Sequence, residues 1–543
     1  MKKIRQLILL SAFLVLIGGC DKDFVEINTN PFAINDIDPG LLFAGAQRTN
    51  LGSWDSESTI VQQFVIPYNL GATLGFNFNE NIDGTQIGAW GQYNGSNGQL
   101  AAVKSFVQIL NLLKGTTTKV NLQCITRIWK ASVFMNMVDT YGDVPYFKTG
   151  LAAIEGETTF FPPYDSDAAI YDDLYLEITD ALSKLDPAGD YVSADLFYGA
   201  KAYIPITSAA AQVAQWKKLG NSLLLRLGMR YSKLDATKAK NIALEAFNGG
   251  VMTSNNDNCL VVYDGTLFTN GNNGGLINNN PRFYYAAEPF VNQLKSTSDP
   301  RSKYMIASFA DPNAPLNDPA PKTNVAAQFG LPVGIPNANI TVANGYRGPK
   351  GSGFDYSQVN VNVAGSLTTP SFWVTYAQTS LLLAEAANRG WITGGDAAAK
   401  QYYEAGIRAD MSAYSLVIAK TKPTNAAVPI LPSVSVAEQD AYIAQSGVLY
   451  DPANALKQIN TQYWIASFLI SPEAWANYRR TGFPTLARNS YNDALLANGG
   501  DGYVHRFTYP DAESSKNQVN YQAAVTAMGG TDNLIARVFW DKQ

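Results

Sequence analysis

The chain has 543 residues, of which 46% are hydrophobic, 12% aromatic and only 16% charged, with a formal net charge of −5. That length supplies a large core and more than one subdomain, and the acidic balance excludes the basic footprint of a nucleic-acid binder. Three cysteines and a single histidine argue against a disulfide scaffold and a histidine-rich zinc site.

The first residues read as an export signal. Lys2, Lys3 and Arg5 precede an apolar run from Leu7 to Ile17, which ends in Gly18-Gly19-Cys20. Such a run is too short for a bilayer core, which needs about 20 helical residues. The small residues at 18 and 19 admit a peptidase, and the Cys20 thiol is the atom expected to take lipid. Residues 1–19 are therefore expected to be removed, leaving a mature chain that hangs from a membrane by acyl chains. Residues 20–30 form a short acidic tether that begins Cys20-Asp21-Lys22-Asp23 and closes on the turn Asn28-Thr29-Asn30-Pro31.

Val61 to Val65 reads as a helix end, and Asn69 to Asn97, rich in Gly, Asn and aromatic residues, reads as loop. Helical periodicity then dominates. Leu100 to Leu113 and Ile125 to Tyr141 are apolar-periodic, and Gly142 with Pro145 gives the second a stop signal. Tyr171, Leu174, Tyr175, Ile178, Leu182 and Leu185 mark one helix face, and Trp216 to Tyr231 marks another. Leu381 to Gly390, Tyr402 to Met411, and Ile459 to Ile470 before Pro472 continue the series.

Paired helices of this kind suggest stacked, tetratricopeptide-like helical hairpins. The helical regions are expected over 31–247 and 371–543. Between them, 248–370 is loop-rich, with Asn270-Gly271-Asn272-Asn273, Asn278-Asn279-Asn280-Pro281 and Asp311-Pro312-Asn313. A loop region that long inside a compact chain is usually functional. Thr421 to Ser435 is a second loop region, poor in charge and rich in proline.

Few residues carry obvious chemistry. His505 lies in Tyr503-Val504-His505-Arg506-Phe507 and is read as structural. Cys124 and Cys259 sit among apolar neighbours, so two buried thiols are favoured, although pairing stays open. Glu385 lies in an apolar helix and requires a buried partner, for which Arg226 or Arg230 is suited. Asp143 is expected to brace the turn after Tyr141, and Arg479 and Arg480 to meet carbonyls or acids near a helix end. Asp311, Asn313, Asn317 and Asp318 gather oxygens, but prolines interrupt a spacing that is not an EF-hand loop. No metal, cofactor or catalytic group is expected.

Several segments resemble the SusD/RagB family of nutrient-binding outer-membrane lipoproteins. They are the lipoprotein start, Trp129 with Val138-Asp139-Thr140-Tyr141-Gly142-Asp143-Val144-Pro145-Tyr146, and Leu382 to Trp391. Gln462-Tyr463-Trp464, Glu473-Ala474-Trp475, Arg479 to Pro484, Arg506 to Pro510 and Arg537-Val538-Phe539-Trp540 follow in the same order. The resemblance implies a mostly α fold, with a tetratricopeptide-like helical-hairpin scaffold and a loop-rich ligand-binding subdomain, and a binding protein without enzymatic activity, anchored to the outer membrane through Cys20 and exposed at the cell surface. It also implies a SusC-like TonB-dependent transporter as partner. The ligands of such proteins are chiefly oligosaccharides, with peptides in the RagB branch.

A pyranose offers a face of C–H groups for a ring and hydroxyls that demand amide, carboxylate or guanidinium partners. Aromatics in amide-rich text are thus the ligand-binding candidates: Trp54, Trp90, Tyr93 and Asn94 early in the chain, and Tyr284, Tyr346, Arg347 and Phe354 in the inserted region. Trp129, Trp216, Trp464 and Trp475 lie on helices and are read as core. A surface glycoside hydrolase or a protein-binding helical scaffold is the competing reading.

Overall fold

A computed structural model describes residues 37–48, 54–65, 87–95, 101–271, 273, 284–333, 345–488, 493–496 and 499–542. Cys20, with the signal and tether expected around it, lies outside the described residues.

Helices carry the architecture. The principal ones in the first half are α1 (Pro39–Gln47), α2 (Trp54–Ile60), α3 (Ile87–Asn94), α4 (Ala102–Leu112), α5 (Val120–Tyr141), α6 (Asp167–Lys184), α7 (Ala209–Arg230) and α8 (Ala236–Gly249). The second half has α9 (Glu288–Ser296), α10 (Tyr376–Asn388), α11 (Gly395–Lys420), α12 (Val436–Ile443), α13 (Ala455–Ala466), α14 (Ser471–Thr481), α15 (Asp511–Lys516) and α16 (Gln518–Ala527). Neighbours pack as pairs, α5 on α6, α7 on α8, α10 on α11 and α13 on α14. This is the mostly α, helical-hairpin class that the resemblance implies.

Local chemistry explains the joints. Gly142 adopts φ +78°, open to glycine without strain, and its N–H caps α5 on the Val138 carbonyl at 2.9 Å. Asp143 Oδ1 then accepts from the Asp167 N–H at 2.9 Å, so the carboxylate ties the end of α5 to the start of α6. α6 buries Ile170, Tyr171, Leu174 and Ile178, a stripe at helical spacing. Close helix approach is visible at Gly406 of α11, where a Cβ would stand 2.7 Å from Leu381 Cγ of α10. Trp129, Trp216, Trp464 and Trp475 are all buried in the main core, as read from their helical positions.

The described strands of the inserted region and its exit are short: β2 (Cys259–Val261), β3 (Tyr285–Ala286), β4 (Ile306–Ala307), β5 (Pro349–Lys350), β6 (Gly353–Phe354), β7 (Gln358–Val359) and β8 (Ser371–Val374). With β1 (Phe64–Val65), β3, β7 and β4 build one antiparallel sheet in the order β1-β3-β7-β4. Phe64 faces Ala286 and Tyr285 faces Gln358 in its register. An early segment is thereby stitched to the inserted region.

The structure corrects several expectations. Val61 to Val65 is not a helix end: α2 stops at Ile60, Gln62 takes φ +56° and β1 follows. Ile87 to Asn94 is helix rather than loop, because Trp90 and Tyr93 bury against Tyr141 and Phe134 of α5 and override the low helix propensity of glycine. Glu385 pairs with Arg480, with both oxygens at 2.7 Å, and with Arg389 at 2.9 Å, not with Arg226 or Arg230. Those two arginines instead meet Glu473, at 3.4 and 2.7 Å. Sequence separation hid this, since α14 brings Arg480 onto α10 only after folding. Burial alone would raise the Glu385 carboxyl, but the two guanidinium groups hold it at about 2. Cys124 and Cys259 are buried free thiols, and burial pushes both up, Cys124 to about 11.

Candidate functional site

A cleft of about 840 Å³ opens between α4, the chain from Pro145 to Pro162 and the pair α15–α16. α4 presents Lys104, Gln108 and Asn111 to it at helical spacing, while Phe106 and Ile109 are buried in the core. On the opposite wall stand Phe160 and Phe161, 55% and 61% exposed, which leaves their ring faces open. Two prolines follow directly, so this segment can enter neither helix nor sheet ladder.

Its backbone is held from outside instead. Asn520 Nδ2 donates to the Phe161 carbonyl and Asn517 Nδ2 to the Pro162 carbonyl, each at 3.0 Å. The Tyr164 hydroxyl donates to Glu513 Oε2 at 2.8 Å. Burial, then the charge of Glu513, push the Tyr164 phenol well above its usual range, so it remains a donor.

Trp90 and Tyr93 form the floor. Trp90 is 4% exposed and packs edge-on against Tyr93, Tyr141 and Tyr509, with ring centroids 5.0 to 5.7 Å apart. Its backbone N–H donates to the Tyr141 hydroxyl at 3.2 Å. Tyr93 donates its hydroxyl to the Pro145 carbonyl at 2.5 Å. Asn94 is exposed at the rim. These three sequence candidates thus share one cleft, with two rings fixed beneath it.

The other candidates lie elsewhere. Tyr346 and Phe354 are 6.0 Å apart in a smaller apolar cluster with Phe329, separate from the core that holds Trp90. The Arg347 guanidinium lies 3.4 Å from the centroid of the Phe329 ring and pairs with Asp355 at 2.8 Å. Tyr284 is half-buried against the main core just before β3. Trp54 begins α2, but its side chain lies outside the described residues. Sequence reasoning missed Phe160, Phe161, Gln108, Asn111, Glu513 and Asn517. The doublet of rings before two prolines was the available signal for the first pair.

Catalytic groups do not converge here. Glu513 is the one carboxylate among the described lining residues, whereas glycoside hydrolysis uses two. His505 is buried between Asp541, 2.7 Å from Nδ1, and Asp501, 3.1 Å from Nε2, away from the cleft lining. Asp311 and Asp318 direct their oxygens at N–H groups of Asn313, Ser352, Ala310 and Ala320. No group of three acids, histidines or thiols able to hold a metal occurs among the described residues.

Helical hairpins bearing an open, aromatic- and amide-lined cleft define a binding protein of the tetratricopeptide-like type. The chain belongs to the SusD-like family, described as starch-binding and associating with the outer membrane, which matches residues 31–510. Solved structures share the fold over nearly the whole chain. A chitin-binding protein is 26% identical with a TM-score of 0.72, covering 93% of this chain and 100% of its own. A chitin-binding SusD homolog from Flavobacterium johnsoniae is 20% identical, TM-score 0.66, covering 93% and 98%. A SusD homolog from Bacteroides fragilis is 20% identical, TM-score 0.69, covering 93% and 100%. No curated protein matches the chain.

Proposed function

We propose that the protein captures oligosaccharides in the cleft between α4 and Phe160–Phe161 and passes them to a SusC-like TonB-dependent transporter, while anchored to the outer membrane through lipid on Cys20. The observation that carries this reading is the pairing of two open phenyl faces with Gln108, Asn111 and Asn94 across about 840 Å³. Ring faces suit pyranose C–H groups, and the amides offer both donors and acceptors to hydroxyls. Trp90 and Tyr93 act as a rigid floor. Starch- and chitin-type oligomers are the first ligands to consider, from the family description and the 26%-identical chitin-binding structure. The single carboxylate among the described lining residues favours capture over cleavage. Tyr346, Arg347 and Phe354 form a second platform that can serve a longer oligomer.

Calorimetry with chitin and maltose oligomers tests this. Phe161→Ala should weaken binding about tenfold, which corresponds to about 1.4 kcal/mol, with the melting temperature unchanged because the ring is exposed. Equal affinity in the variant would place the ligand elsewhere.

A further inference from the structure

The cleft carries charge as well as rings and amides. Lys104 recurs with Gln108 and Asn111 at i, i+4 and i+7 along α4, so the lysine shares the helix face that lines the cleft. On the α15 side, Glu513 and Lys516 recur at i and i+3, and both also line it. The two lysines are exposed, and among the described residues neither ammonium meets a carboxylate, a carbonyl or a ring. Lys184, Lys218 and Lys238, in contrast, stand 2.5 to 2.8 Å from aspartates. Glu513 is already engaged, since it accepts from the Tyr164 hydroxyl beside the Phe160–Phe161 wall at 2.8 Å. The described lining thus sets two cations against one anion, in a chain whose net charge is −5.

Position gives that imbalance its effect. A charge on open surface is screened by salt within about 10 Å at 0.1 M. Charges of one sign inside a cleft with low-dielectric walls focus the field and concentrate the opposite ion. Leu112, Ile154, Phe160 and Phe161 supply such walls here. A neutral sugar gains from an ammonium only an ordinary hydrogen bond, whereas an anionic substituent gains a charge-assisted one. Lysine places a point charge on a flexible stem, so it can follow an anion at more than one position along an oligomer.

We propose that Lys104 and Lys516 set the charge specificity of the cleft, which prefers oligosaccharides bearing an anionic substituent, a carboxylate or a sulfate, to their neutral counterparts. This preference rests on the cleft being the site of capture.

Titration calorimetry of the purified protein compares matched pairs that differ in charge. One pair is triacetylchitotriose and its 6-O-sulfated form; the other is maltotriose and the form whose terminal hydroxymethyl group is oxidised to a carboxylate. At about 0.1 M NaCl the charged member of at least one pair should bind about threefold to tenfold tighter, as two exposed ion pairs contribute up to about fivefold each. The ratio should fall to about one at about 1 M NaCl, where the screening length is about 3 Å, and likewise in the double variant Lys104→Gln/Lys516→Gln. The pair with the larger ratio identifies sulfate or carboxylate as the preferred group. A ratio of one in both pairs, with Phe161→Ala still weakening the neutral oligomers, would overturn the charge preference and leave capture in the cleft standing. A ratio that survives in the double lysine variant would overturn it too. Oligomers that bind without dependence on Phe161, or not at all, would remove capture in the cleft and the charge preference with it.

Discussion

The helical halves bury ion pairs at their joints, whereas the loops of the inserted region rely on amides, apart from the buried Arg301–Asp299 pair at 2.6 Å. In the helices, charged side chains pair with one another: Glu385 with Arg480 and Arg389, Glu473 with Arg226 and Arg230, and Arg230 also with Asp139 at 3.2 Å. In the inserted region, neutral amides serve the backbone. Asn273 Nδ2 donates to the Ala364 and Ser366 carbonyls at 2.8 Å each, Asn270 Nδ2 to the Thr369 carbonyl at 2.9 Å, and Gln328 Nε2 to the Lys322 and Asn324 carbonyls at 2.9 Å. A helix satisfies its own main chain, so its side chains are free to cross-link neighbouring helices. A buried loop has no ladder, and each orphaned carbonyl needs a donor from elsewhere. Asparagine-rich text in this chain is therefore the structural means of burying a loop, not simply a sign of exposure.

The largest expected effect probes the charged side of this contrast. Glu385→Ala leaves the buried Arg480 guanidinium without its carboxylate and should destabilise the fold by about 3–5 kcal/mol, measured by denaturant unfolding. A change below about 1 kcal/mol would show that Asn477 and Asn460, which also contact Arg480, suffice. Asn273→Ala tests the amide side. Two buried carbonyls lose their donor, with a cost of about 1–3 kcal/mol. Hydrogen exchange should rise locally around residues 364–366 while the helical halves stay protected.

The smallest effect sharpens the helical side further. Burial disfavours a charged His505, but hydrogen bonds to Asp501 and Asp541 outweigh it and raise its pKa. Arg537 joins the same clasp, 2.8 Å from each aspartate, and the His505 carbonyl accepts from Arg479 at 2.7 Å. The folded protein holds the proton more tightly than the unfolded chain. The stabilisation is thus complete below the unfolded value near 6.5 and is lost as pH rises through the folded one. Unfolding free energy should fall over that window in the wild type and stay flatter in His505→Gln. As the chain has a single histidine, its ring resonances report the titration directly. Identical pH profiles would remove the clasp from the account.

What could be read in the sequence follows from where the determining forces act. Periodicity is a local property, so α5, α6, α7 and α10 are legible from their apolar spacing, and the end of α5 from Gly142 and Pro145. The order of aromatic and glycine motifs likewise identifies the family, because each motif occupies a fixed joint of the scaffold. Trp90 and Tyr93 stand out in the sequence as rings in glycine- and amide-rich text, which reads as loop. Only the facing side of α5 turns that segment into a helix and sinks both rings. Phe160 and Phe161 escaped because they lie far along the chain from Asn517 and Asn520, whose amides hold their loop in place. The same holds for Glu385 and Arg480, 95 residues apart. The sequence alone determined the helices, their stops and the family. The partners of buried charges and the open faces of aromatic rings were decided by tertiary structure, since burial and hydrogen-bond geometry exist only once distant segments meet.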